Sequence, residues 1–357
     1  MEYLISPCSQ LLTLAGAAGP RRGKEQADVG LIEDGALWIV DNQIKMAGAR
    51  VEVEQALKGR NIAIIPARDC VVMPGFVDCH AHPVFMESRL QEFEQRILGS
   101  SYEEIAAHGG GILSTVRKVR AATQDEVIQA AIPRLWAFLK HGTTTLEAKS
   151  GYGLDLESEI KMLEAIRALN GLTPLELVPT FLGAHEIPPE YRDAPQGYVH
   201  TLVHTILPEV ARRGLAEYCD AFVEPQFFDL AAADAVFLAA RELGLKIRLH
   251  ADQLSRSGAT RLGVRLGAVS IDHLEQIGEE EIRLMARSSA TAVLLPGSVY
   301  HLGRTLYPPA RRLIDAGVPV ALATDFNPGS SPVWNMQMIL SLACTQMRMT
   351  PAEAVVA

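Results

Sequence analysis

Several features that mark large protein classes are scarce or missing in this chain. Its 357 residues include five cysteines, Cys8, Cys70, Cys79, Cys219 and Cys344, widely scattered and without a Cys-x-x-Cys pair. That spacing supports neither a disulfide framework nor a thiolate zinc site, and a reducing cytoplasm is the compartment expected. No stretch approaches the roughly 20 consecutive apolar residues of a membrane span, so no membrane partner is expected. The opening residues Met1-Glu2-Tyr3-Leu4-Ile5 carry no basic segment of the secretory type. Lysine and arginine number 33 against 42 acidic residues, a formal charge of −9. They form no cluster of the kind that phosphate backbones require, so nucleic acid is not an expected partner. Repeats of roughly 20 to 50 residues and low-complexity tracts are also lacking. With 48% hydrophobic and 21% charged residues, the chain has the composition of an ordered globular protein with a large core.

Two textures divide the chain. Residues 1–66 read as short strands with turns at Asp34-Gly35 and Asp41-Asn42, a small β domain. Residues 67–357 alternate apolar strands with amphipathic segments, the pattern of βα units around a parallel sheet. Strands are expected at 71–77, 143–147, 175–182, 217–223, 245–249, 268–271, 291–295 and 319–324. Helices are expected at 112–140, 156–169, 198–213, 230–243, 279–286 and 309–316. This alternation implies an α/β fold, a TIM-like (β/α)8 barrel. Thr350-Pro351-Ala352-Glu353 has the form of a capping box at a helix start, so a further helix is expected to begin there.

Barrels of this type gather their chemistry at the C-terminal ends of the strands. His80 and His82 end the first expected strand, where two residues apart means the same face of an extended backbone. Chance composition supplies about 0.3 His-x-His pairs in a chain of this make-up, so the pair alone decides nothing. Further polar groups follow at the other strand ends: Glu147 and Lys149, His185, Glu224, His250 and Asp252, Asp272 and His273, and Asp325. Three imidazoles and a carboxylate, His80, His82, His250 and Asp325, form a donor set suited to zinc or iron. His185 and His273 remain as bases or substrate contacts, whereas His108, His141, His200, His204 and His301 fall on helices or peripheral loops. Arg89, seven residues beyond His82, offers a guanidinium fork for an anion, against the plainer reading of a surface ion pair within Glu87-Ser88-Arg89. Gly109-Gly110-Gly111 and Gly151-Tyr152-Gly153 match no phosphate-binding motif and are expected as loops over the barrel mouth.

These residues stand in longer motifs: Pro74-Gly-Phe-Val-Asp-Cys-His-Ala-His-Pro-Val-Phe, Ser101-Tyr-Glu-Glu-Ile-Ala, Gly142-Thr-Thr-Thr-Leu-Glu-Ala-Lys-Ser-Gly-Tyr-Gly, Thr180-Phe-Leu-Gly-Ala-His, Leu249-His-Ala-Asp-Gln-Leu and Ala323-Thr-Asp-Phe-Asn-Pro-Gly-Ser. In these motifs the chain resembles the imidazolonepropionase family of the amidohydrolase superfamily, along essentially its whole length. The resemblance implies a metal-dependent hydrolase barrel with a small β-sandwich domain begun by the N-terminus, whose C-terminal strands lie beyond residue 357. It implies hydrolysis of the cyclic amide bond of 4-imidazolone-5-propanoate to N-formimidoyl-L-glutamate in histidine degradation. One Zn²⁺ or Fe³⁺ per chain would be held by His80, His82, His250 and Asp325, and Glu224, in place of a bridging lysine, implies a single ion. The substrate contacts implied are Arg89, Tyr102, Tyr152, His185, Gln253, Asn327, Gly329 and Ser330, around a small anionic molecule.

Proton transfer falls to His273 or Asp325, and His185 is expected to donate to the developing oxyanion. Gln253 stands where some members have glutamate, and a neutral amide accepts no proton at neutral pH, which moves any base role to His273. Two alternatives stay open. One is another mononuclear amidohydrolase, a cyclic amidase or nucleobase-type deaminase; the other is a catalytically silent metal-binding barrel. A homodimer is the assembly to test.

Overall fold

The computed structural model describes residues 1–16, 18–100, 104–105 and 109–357. A small sheet comes first, built from β1 (Glu2–Leu12), β2 (Leu31–Val40), β3 (Gln43–Ala49) and β4 (Ala63–Val72) in the order β3-β2-β1-β4. β2 and β3 form an antiparallel hairpin whose turn residues Asp41 and Asn42 have φ of 48° and 63°. Asp and Asn tolerate that left-handed region, which is why this dipeptide can reverse the chain so tightly. Helix Arg50–Ala56 lays Val53 against Leu4 and Ala36, so the small domain is one mixed sheet with a helix on one face.

Eight parallel strands follow: β5 (Phe76–Asp78), β6 (Thr143–Lys149), β7 (Glu176–Ala184), β8 (Tyr218–Val223), β9 (Lys246–Ala251), β10 (Ser270–His273), β11 (Thr291–Leu294) and β12 (Val320–Leu322). They neighbour one another in sequence order, from β5 to β12, as a (β/α)8 barrel requires. Contact between the first and last strands is made just above their ends. The Asp325 amide donates to the His80 carbonyl at 3.0 Å, and the His82 amide to the Phe326 carbonyl at 2.7 Å. Asp78 adds a side-chain clasp, accepting from the Thr324 amide (3.0 Å) and hydroxyl (2.6 Å). Lower on the seam, the Gln26 side chain donates to the Val320 carbonyl at 2.7 Å and accepts from its amide at 3.3 Å.

The first barrel strand differs from the expectation of one strand over 71–77. Val71 and Val72 belong to β4 and pair with Gln10 and Leu11 of the small sheet. Pro74 has no N–H to give to a ladder, and Gly75 presses against the Thr144 side chain where a Cβ would collide. The chain therefore leaves one sheet and enters the other within a single apolar run, and the small sheet extends past the expected boundary at residue 66. The helix expected over 112–140 is two, Ile112–Ala121 and Gln124–Lys140, because Thr123 and Glu126 form a capping box that starts the second. Helices Ala259–Leu266, Pro296–His301 and Met336–Met347 add to those expected. The helix expected at Thr350 runs Pro351–Val356 behind its own capping box.

Candidate metal centre

Beyond Asp78 the backbone stays extended, and Ala81 bridges Phe326 in parallel fashion. His80 and His82 consequently share one face and point into the barrel, both buried. His250 and Asp325 reach the same point from β9 and from the turn after β12. The Nε2 atoms of His80 and His250 are 3.1 Å apart, and Asp325 Oδ1 lies 3.7 Å from Nε2 of both His80 and His82. His80, His273 and Asp325 form a second set whose donor atoms lie within 4.8 Å of one another. Asp325 and His273 have φ of 51° and 81°, left-handed values that non-glycine residues rarely adopt and that cluster at functional sites.

The surroundings decide which ring nitrogens carry protons. His80 Nδ1 is 2.7 Å from Asp272 Oδ2, and His250 Nδ1 is 3.1 Å from Asp220 Oδ1. A carboxylate accepts, so both protons sit on Nδ1 and both Nε2 atoms carry lone pairs. With both rings neutral, the two Nε2 lone pairs face each other at 3.1 Å with no proton to share, an arrangement that a cation bound to both would relieve. Tetrahedral ligands at about 2.0–2.1 Å from one ion would be about 3.3 Å apart, close to the separations found. Burial, then Lys149 and neighbouring imidazoles, holds His80 well below its ordinary pKa. Burial, then His185 and His250, does the same for His82, so neutral imidazoles are presented. Burial raises the Asp325 carboxyl despite the opposing pull of His273 and His250. For His273 burial alone would lower the value, but Glu275, Asp325 and Asp272 outweigh it and hold the imidazolium above its usual range.

A cavity of about 1020 Å³ opens over these groups, lined by His82, His250, His273 and Asp325 and also by Arg89, Arg96, Tyr152, His185 and Gln253. Arg89 donates to Thr115 Oγ1 at 3.2 Å and pairs with Glu92 at 3.2 Å rather than with Glu87, which binds Lys118. Its backbone amide donates to the Pro328 carbonyl at 2.6 Å, so the first and last strand-end loops are joined. Asn327 is fully engaged: its Oδ1 accepts from the amides of Gly329 (2.9 Å) and Ser330 (2.7 Å), and its Nδ2 donates to the Asp325 carbonyl (2.7 Å) and Ser330 Oγ (2.9 Å). These bonds build the loop beside Asp325, and Asn327 and Ser330 also line the cavity. Tyr102 lies outside the described residues.

His185 is placed differently from the role expected of it. Its Nδ1 donates to the Gly151 carbonyl at 2.9 Å, and burial, then His250, depresses its pKa to about 3. A neutral ring with its only proton on Nδ1 offers Nε2 as an acceptor, so donation to an oxyanion is not what this geometry provides. The ring stacks on His82, with centroids 5.3 Å apart and planes 22° from parallel. Glu224 also faces away from the donor set, accepting from the Leu254 amide (2.7 Å) and Ser255 Oγ (2.5 Å). Asp252 accepts from Thr260 Oγ1 at 2.5 Å at the start of the next helix.

Three residues were not anticipated at the site. Asp220 and Arg248 sit mid-strand in the barrel interior, and a charge inside an apolar run was the available signal. Buried Glu159 accepts from the amides of Gly151 (3.1 Å), Gly153 (2.8 Å) and Leu154 (3.0 Å), and so shapes the loop that carries Tyr152.

Comparison with known proteins is decisive on kinship. A protein named imidazolonepropionase from Solibacter usitatus (strain Ellin6076) is 50% identical over 350 residues, spanning 98% of this chain and 84% of that relative. The chain belongs to the imidazolonepropionase family. A second member, from Geobacillus kaustophilus (strain HTA426), is 44% identical over 351 residues, covering 98% of this chain and 82% of its own length. No family model matches. Among solved structures, a 5-methylcytosine deaminase from Klebsiella pneumoniae superposes with a TM-score of 0.70 at 15% identity, covering 99% of this chain and 86% of its own. An amidohydrolase from a Sargasso Sea environmental sample gives 0.64 at 18% identity, over all of this chain and 77% of that one. The imidazolonepropionase family thus shares its barrel with proteins of other names, and the fold alone does not set the substrate.

Proposed function

We propose that this chain hydrolyses the cyclic amide bond of 4-imidazolone-5-propanoate, giving N-formimidoyl-L-glutamate in histidine degradation. The convergence of His80 and His250 Nε2 beside Asp325 supports this reading, because it offers a donor set for a cation at the base of the cavity. His80, His82, His250 and Asp325 would hold one zinc or ferric ion per chain. Such an ion lowers the pKa of a bound water towards neutrality and polarises a carbonyl. A small anionic substrate and a cytoplasmic setting belong to the same reading; among the described residues no helix is long and apolar enough to cross a membrane.

The remaining roles follow from the protein's own groups. Asp325, with its raised pKa, takes the proton lost by the attacking water. His273, whose imidazolium form Glu275 favours, delivers a proton to the ring nitrogen as the C–N bond breaks. His185 Nε2 accepts an N–H of the substrate ring, and Arg89 holds the propanoate with its guanidinium fork. Asn327, Gly329 and Ser330 keep Arg89 and Asp325 in register. Steady-state turnover of imidazolonepropanoate, compared with the same ring lacking the propanoate arm, tests the assignment. Ring opening of the first with much weaker turnover of the second is expected; equal turnover of both, or turnover of neither, would refute it.

A further inference from the structure

Behind the two facing imidazoles lies a closed circuit of buried charged groups. From His80 Nδ1 it passes to Asp272 Oδ2 (2.7 Å), then to Arg248 (3.1 Å) and on to Glu147 Oε1 (2.9 Å). It continues through Lys149 Nζ (2.8 Å) to Asp220 Oδ2 (2.7 Å), whose other oxygen meets His250 Nδ1 at 3.1 Å. The 3.1 Å gap between the Nε2 atoms of His250 and His80 completes the ring. Every member is buried, and the groups come from five different strands or strand ends. Five buried ionic groups are an expensive way to fill a barrel, since apolar side chains of similar volume often stabilise as well or better. Their arrangement makes sense if something beyond stability depends on it.

We infer that Asp220 and Asp272 are positioning residues for the metal site: together with the Arg248–Glu147–Lys149 bridge they fix His250 and His80 in the Nδ1–H tautomer, so that both Nε2 lone pairs converge. This rests on the reading of His80 and His250 as ligands. Asp220 divides its two oxygens between Lys149 and His250, which ties the ring plane of one ligand to the strand that carries Lys149. Asp272 ties His80 to Arg248 through a single oxygen, Oδ2, which meets His80 Nδ1 at 2.7 Å and the Arg248 guanidinium at 3.1 Å. The three carboxylates outnumber the two cations by one, leaving a negative charge behind the imidazoles that strengthens them as donors. Because Glu147 contacts both Lys149 and Arg248, each cation retains a carboxylate when either aspartate is altered.

Asp220→Asn and Asp272→Asn preserve shape while replacing a pure acceptor by an amide that also donates. In metal-free, ¹⁵N-histidine-labelled protein, long-range ¹H–¹⁵N correlation spectra are expected to show His80 and His250 as Nδ1–H tautomers. Asp272→Asn should disturb His80, and Asp220→Asn should disturb His250. Titration with Zn²⁺ against a competing chelator should show about 10- to 100-fold weaker binding in each variant. An Nε2–H tautomer for either ring in the unmodified protein overturns the inference, and that spectrum needs no variant to fold. Zn²⁺ affinity equal in variants and unmodified protein overturns it too. Failure of the unmodified chain to bind Zn²⁺, with the tautomers as described, refutes the ligand reading instead.

Discussion

The Arg89 guanidinium lies against Gly329 so closely that a Cβ on residue 329 would overlap its terminal nitrogen. Arg96, in the helix Leu90–Ile97 that Arg89 precedes, adds a hydrogen bond of 3.0 Å to the Gly329 carbonyl, so two arginines from the segment after the first barrel strand rest on the loop after the last strand. Glycine is needed here for close approach, not for an unusual φ. Gly329→Ala should therefore push Arg89 off the position from which it would hold the propanoate. We expect KM to rise about tenfold, about 1.4 kcal/mol, with kcat little changed, because the contact is remote from the bond that breaks. Steady-state kinetics check this, and an unchanged KM would separate Arg89 from substrate binding.

Glu159 supports the opposite wall. Glu159→Ala would strand three backbone amides in a buried loop, and an orphaned buried donor costs about 1–3 kcal/mol. Denaturant unfolding should show a loss of at least that size, together with reduced turnover as Tyr152 loses its setting. Glu159→Gln keeps one acceptor and should fall between the two. Unaltered stability in Glu159→Ala would contradict the role given to these hydrogen bonds.

Glu186, on the cavity wall, makes binding depend on pH. Burial raises its carboxyl from 4.5 to about 7, opposed by the Ile187 amide and Arg192. It is neutral below that pH and negative above it, so KM for an anionic substrate should climb as pH rises through about 7. In Glu186→Gln this component of the KM profile should be flat. The same shift has a stability consequence. Between its unfolded value and about 7 the native state binds more protons than the unfolded one, so this contribution falls as pH rises across that window. A KM profile identical in the variant and the unmodified protein would remove Glu186 from the cavity's electrostatics.

Much of this arrangement was legible in the sequence, for identifiable reasons. Seven of the eight barrel strands announce themselves as short apolar runs between turn residues, and the strand-end positions of His250 and Asp325 make the candidate donor set legible from sequence. The first strand was obscured because 71–77 is apolar throughout, which hides the passage from β4 to β5 at Pro74-Gly75. Asp220 and Arg248 were overlooked because a lone charge in an apolar strand says only that a partner exists, and the partners come from strands far away in sequence. The direction of hydrogen bonding at His185 depends on the Gly151 carbonyl and on no feature of sequence spacing.

Metal binding should also be visible in stability. An ion bound by four groups of the native state, and not by the unfolded chain, stabilises by mass action. Thermal unfolding of the chain with Zn²⁺ should occur at higher temperature than after chelation, and His250→Ala should abolish the difference. A shift of equal size in His250→Ala would place the ion elsewhere.

The central claim is that a cation held by His80, His82, His250 and Asp325 is needed to open the imidazolone ring. The most direct test is the rate of N-formimidoyl-L-glutamate formation from imidazolonepropanoate by the stripped chain, titrated back with metal. Activity should vanish on stripping and return in proportion to added ion, saturating near one equivalent per chain. Full activity in the stripped protein, or none after reconstitution, would contradict it.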